Sequence, residues 1–113
     1  MQYALLIFDA EEDLDRATRP VPGPVAAALD QPYVVGWARL HAAGSATTLR
    51  KSDGETLLTD GPFIDSKEFL AGLIVIEAEN LDAALAIAHE FQATRTAGAI
   101  ELRPIIQGRF GGA

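Results

Sequence analysis

The residues of this 113-residue chain best suited to chemistry crowd into one stretch, TDGPFIDSKEFLAG, from Thr59 to Gly72. A reversal of chain direction needs only two or three special residues. This stretch holds many more, several of them ionisable. Asp60 is a candidate general base, or an orienting carboxylate at the mouth of a cleft. It suits a rigid corner equally well. There Asp60 accepts backbone N–H groups in an Asx turn, Gly61 permits a positive φ, Pro62 stiffens the bend and Phe63 anchors it in the core. The two roles are compatible. Beyond the corner, Lys67 could hold a carboxylate, phenolate or enolate oxygen, and Glu68 could bind a ligand or move a proton. The same pair also fits a solvated bulge or short helical turn, where it contributes little. Asp65 has no special claim, and Ser66, like Ser45, lacks the context of an activated nucleophile.

Two histidines are present. His41 is the better base candidate, since imidazole titrates near neutrality. His89 sits one position past the apolar stripe of a predicted helix and suits a surface or boundary position. Arg103 and Glu101 alternate along a predicted strand and so share a face. They suit an ion pair, across strands or between subunits. Alternatively, Arg103 points into an apolar cleft and binds an anionic ligand with its two-pronged guanidinium. Arg95 is placed to neutralise a helix C-terminus. Trp37, Phe63 and Phe91 are expected in the core. Two distant histidines and scattered carboxylates make a poor metal set, and Gly108, Gly111 and Gly112 form no phosphate loop. No cofactor is implied.

Composition narrows the setting. One domain fits the length, and 49% hydrophobic with 22% charged residues suffices for a core. Net charge is −7, with no basic stripe, which argues against nucleic acid and anionic membrane surfaces. Without cysteine, disulfides and thiolate metal sites are excluded. MQYALLIFDAEED lacks a basic n-region, and its apolar run is too short for a signal peptide or a membrane span. A cytoplasmic protein is expected.

The elements that must position these residues follow from the pattern. YALLIF (Tyr3 to Phe8) and LAGLIVIEA (Leu70 to Ala78) are apolar on both alternating faces and read as central strands. Asn80 caps a helix with Asp82 in its first turn. The helix runs to about Gln92, with Leu81, Ala84, Leu85 and Ala88 as its apolar stripe. Gly98 marks a turn into AIELRPI, an edge strand or one that ends at Pro104. Asp53-Gly54 predicts a hairpin that pairs Leu49 with Leu58, Thr48 with Thr59 and Thr47 with Asp60. PVAAALD gives a short helix from about Pro24 to Asp30. YVVGWARL is read as a strand, because Val-Val-Gly-Trp favours one; Val34, Trp37, Ala38 and Leu40–His41 would alternatively form part of a helix stopped by Gly44. Residues 107–113 read as a loose tail on a domain of residues 1–106.

A helix in each half, packed on an antiparallel sheet, defines an α+β two-layer sandwich of ferredoxin-like type. Two helices cover one face of such a sheet. The first and later central strands are apolar on both. A second copy packed sheet to sheet is the simplest cover for the other face, so a homodimer is expected, with a small molecule as a further partner.

The combination DGPF, K-E three residues on, an apolar strand, LDAAL and E-x-RP, with ATTLR ahead of a DG turn and the opening MQYALLIF, resembles the YCII-related superfamily in its DGPF subgroup. The likeness covers about residues 1–8 and 46–106. It implies a dimeric α/β-barrel built from two ferredoxin-like halves. Some relatives resemble dehydrochlorinases of chlorinated hydroxyquinone breakdown, and YCII proper carries a proposed His–Asp pair in a cleft. Between about residues 9 and 45 the chain departs from the pattern, being shorter and rich in proline. RLHAAGSATTLR corresponds either to the end of the family's second strand or to a helix end followed directly by the hairpin. Two functions follow as expectations. One is a cofactor-free lyase or isomerase acting on a small cyclic or enolisable compound, with Asp60, His41 and Lys67 catalytic and Glu68 and Arg103 binding. The other is a non-catalytic small-molecule-binding or regulatory dimer.

Overall fold

In the computed structural model, residues 1–10, 15–63 and 68–110 are described. The run YALLIF, with one polar residue at either end, forms strand β1 (Gln2–Asp9). Helix α1 (Gly23–Leu29) follows Pro22 and holds Pro24 in its first turn, where the missing N–H costs nothing. Strand β2 (Val34–Arg39) is the YVVGWARL segment, as its β-branched and aromatic residues favour. Strands β3 (Thr47–Ser52) and β4 (Glu55–Asp60) form the hairpin, followed by β5 (Phe69–Glu77), helix α2 (Leu81–Ala93) and β6 (Ala99–Pro104).

β2, β5, β1 and β6 form one sheet in that order, antiparallel at every junction. With the helices following β1 and β5, this α+β arrangement is compatible with a ferredoxin-like fold. β6 pairs with β1 alone, so Pro104 lies on an edge strand, where its missing donor leaves no ladder bond unmade. The hairpin is a separate two-stranded sheet with Leu49 opposite Leu58 and Thr47 opposite Asp60. Its turn has positive φ at both Asp53 and Gly54, the twist that suits a two-residue connection. Among the described residues no helix is long and apolar enough to cross a membrane.

The core lies between the sheet and the helices. Tyr3 and Leu5 of β1 and Ile74 and Ile76 of β5 meet Leu29 of α1 and Ala84, Ala88 and Phe91 of α2. Burying a side chain such as Leu5 or Ile76 fully contributes about 1.5–3 kcal/mol. Asn80 caps α2 by accepting from the Ala83 N–H at 2.9 Å, and Asp82 lies in the first turn. The buried stripe of α2 differs from the expected one. Ala84, Ala88 and Phe91 are buried, whereas Leu81 and Leu85 are exposed. LDAALAIAHEF is apolar over much of its circumference, so its period admits several inward faces. The sheet selects the one where two alanines permit close approach and Phe91 fills the far end.

On the other face, Val75 is buried, while Ala4, Leu6, Phe8 and Leu73 are half-buried. The hairpin carries Leu49 and Leu58 as an exposed cross-strand pair.

Candidate functional site

The turn after β4 is stitched to the entry of β3. The Gly61 N–H donates to the Ala46 carbonyl at 2.7 Å, and the Thr48 hydroxyl donates to the Gly61 carbonyl at 2.7 Å. Gly61 takes the expected positive φ, +96°. Two other expectations for this corner fail. No backbone N–H donates to the Asp60 carboxylate among the described residues. Position i+2 of an Asx turn would be Pro62, which has no N–H to give. Phe63 does not anchor the core: it is 69% exposed, with the Arg50 guanidinium 5.6 Å from its ring centroid. A hairpin that forms its own small sheet carries the corner away from the helices, so the ring has no core to enter.

That displacement opens a cavity of about 650 Å³. Pro62 and Phe63 form one wall. Leu40, His41, Ala42, Ala43, Ser45 and Ala46 come from the segment between β2 and β3, and Phe8, Glu68, Phe69 and Leu70 complete it. A short 3-10 turn at Ala43–Ser45 shapes the second segment. The volume lies within the ordinary range for small-molecule sites, and a mainly apolar lining with few polar groups is typical of them. His41 and Glu68 are the titratable residues of its described lining.

The structure thus brings two of the expected site residues together. Asp60 is exposed at the end of β4, three residues before Phe63 and outside the cavity lining. Lys67, with Asp65 and Ser66, lies outside the described residues. Arg103 lines none of the cavities described here. Its Nε forms an ion pair with Glu101 Oε2 at 3.1 Å on an exposed strand, so the pair on that face is made within one strand.

A second cavity, about 180 Å³, lies between the sheet and the helices. Apolar residues dominate its lining, including Ile7, Val25, Trp37, Ile74 and Phe91, joined by Asp9, Arg16, Arg39 and Arg95. Trp37, expected in the core, is 48% exposed, because β2 is an edge strand. Asp9 accepts from Arg16 Nη1 at 3.0 Å and from Arg95 Nη2 at 2.8 Å. Arg16 Nη2 also donates to the Ala71 carbonyl at 2.9 Å. The same carbonyl accepts from the Leu40 N–H at 2.9 Å. Arg95 reaches back to the Phe8 carbonyl as well. It ties β1 to the end of α2 through a side chain, which goes beyond the expected helix-terminus role.

A third hollow, about 190 Å³, is lined by Arg16, Ala17, Arg39, Leu40 and His41. It shares its arginines with the second cavity and Leu40 and His41 with the first. The three hollows therefore run in succession around the end of edge strand β2. Reading the sequence missed Asp9, Arg16 and Arg39. The available signals were weak: an Asp ending an apolar strand, and an Arg two places before His41 and so alternating with it.

An antiparallel sheet with two helices on one face and a cleft at the end of an edge strand defines a small α+β domain with a surface cleft. The comparisons narrow this further. Residues 1–109 match the model of the YCII-related domain. The chain is also 34% identical, over 119 aligned positions, to an uncharacterised protein of Rhizobium meliloti, strain 1021, covering 93% of this chain and 92% of that protein. The chain belongs to the YCII-related family.

Proposed function

We propose that this chain binds a small, mainly apolar molecule in the cavity between Phe63 and Leu70, as a homodimer. The carrying observation is the cavity itself: about 650 Å³, walled by Phe8, Leu40, Phe63, Phe69 and Leu70, with His41 and Glu68 among its lining. A ring or short branched chain would displace water from these walls, and the two titratable groups would orient it. The dimer reading rests on the sheet's second face, where Ala4, Leu6 and Leu73 are only half-buried. Burying such side chains against a second copy stabilises the pair. Light scattering at micromolar concentration is expected to give twice the chain mass; a monomer would remove this part.

A second reading, a cofactor-free lyase or isomerase, is favoured by the presence of a base and a carboxyl group in one cavity. His41 would take a proton next to a carbonyl and Glu68 would move one at a second position. Both readings meet in one experiment. Fragments, including small cyclic ketones, are titrated by NMR into the full chain in deuterated buffer. Binding is expected to shift amides of residues 40–46. Deuterium uptake next to the ketone carbonyl that disappears in His41→Gln supports proton transfer; binding without uptake leaves the binding function alone. No shift with any fragment would refute the cavity as a ligand site.

A further inference from the structure

We infer that the ligand of this cleft is an organic acid whose carboxylate is held by Arg39 in the hollow beside His41. This rests on the cavity reading above and adds the ligand's chemical class. Arg39 Nη1 donates to the Arg19 carbonyl at 2.9 Å and Nη2 to the Arg16 carbonyl at 3.0 Å. Both partners are uncharged carbonyls. They fix the guanidinium in place without neutralising it, and its five N–H donors exceed the two bonds made. The contrast is Arg103, whose guanidinium is paired with Glu101.

Charge placement supports the same conclusion. The chain carries nine basic residues and a net charge of −7. Arg16, Arg39 and Arg95 nonetheless gather at one end of the sheet. The carboxylate among them, Asp9, is engaged by Arg16 and Arg95. The hollow that contains Arg16, Arg39 and His41 has no carboxylate in its described lining. A planar fork suits a carboxylate, which it binds through two parallel bonds.

The apolar cavities on either side decide against an inorganic anion. The larger one adjoins the hollow through Leu40 and His41. A carboxylate at Arg39 would send an attached ring or chain directly among Phe8, Phe63 and Phe69. In that pose, the carbon next to the carboxylate lies beside His41. Arg39 therefore acts as a specificity-determining residue for acids over neutral isosteres.

The test uses the uniformly nitrogen-15-labelled full chain, with benzoate and benzyl alcohol as probes. Benzoate is expected to bind at least about tenfold more tightly, equivalent to about 1.4 kcal/mol. Arg39→Gln is expected to abolish that preference and leave benzyl alcohol binding unchanged. Arg39→Lys should retain part of it, because the charge stays and the fork is lost. If both variants fold poorly, the wild type still decides: added sodium chloride should weaken benzoate binding and leave benzyl alcohol binding unaffected. Equal binding of the two probes, or a benzoate preference that survives Arg39→Gln, overturns the inference while the cavity reading stands. Binding of neither probe overturns both.

Discussion

Replacing Asp9 by alanine tests what holds the two layers together at the cleft end. The carboxylate joins Arg16, on the segment before α1, to Arg95, just past α2, through bonds of 3.0 and 2.8 Å. Charge-assisted bonds of this kind are typically worth about 1.5–3 kcal/mol each when sheltered. Shelter here is partial. The arginine side chains are 15% and 16% exposed and the carboxylate is 33% exposed, which places the pair of bonds between the surface and buried limits. Removal also leaves two guanidiniums side by side without their counter-charge. A loss of about 2–3 kcal/mol follows, or roughly 8–15 °C in Tm for a domain of this size. Glu101→Ala is the internal comparison. Its bond to Arg103 is of similar length, but the side chains are 52% and 71% exposed, so the loss should stay below about 0.5 kcal/mol. Urea unfolding of Asp9→Ala, Arg16→Met and the double variant gives the coupling, expected near 1 kcal/mol. An Asp9→Ala loss no larger than that of Glu101→Ala would refute the argument that burial, and not bond length, sets the value of these pairs.

Three further perturbations follow from the fold. Gly98 has φ +86°, and an added Cβ would collide with the Phe8 carbonyl and the Arg95 guanidinium. Gly98→Ala should therefore cost about 2 kcal/mol or more by urea unfolding; an unchanged midpoint would show that this turn relaxes freely. Asn80→Ala removes the bond to the Ala83 N–H and should cost about 1 kcal/mol, while Asn80→Ser should restore most of it, and equal midpoints for all three would deny the cap any role. Tyr33 donates to Glu90 Oε2 at 3.2 Å, and its phenol is raised above the ordinary value by partial burial first, and then by the Glu90 charge and hydrogen bond. A raised folded-state value means the stabilisation is whole below pH about 10 and is lost as pH rises through the folded value. Melting curves of the wild type and Tyr33→Phe should therefore run parallel at pH 7–9, with the wild type falling faster above pH 10; parallel curves throughout would contradict this.

The central strands were legible in the sequence because a short uninterrupted apolar run bounded by polar residues has a strand's length and no helical period, as YALLIF and LAGLIVIEA show. Asp53-Gly54 specified the hairpin register, since only residues tolerant of positive φ make that turn, and the turn sets every pair after it. Asn80 and Gly98 were legible for equally local reasons: a cap and a left-handed bend involve only neighbours in the chain. What lay beyond the sequence depended on distant surfaces. The inward face of α2 was chosen by the sheet beneath it, because an alanine-rich helix offers several. Phe63 faces outward because the hairpin forms its own sheet, a matter of where two strands find partners. The cleft joins Asp9, Arg16, Arg39, His41 and Glu68, drawn from separate segments of the chain. Their meeting is a product of strand order, with β2 at the edge beside β5. Local spacing governs turns, caps and periods, whereas convergence of charges around a sheet edge exists only after the chain has been folded back upon itself.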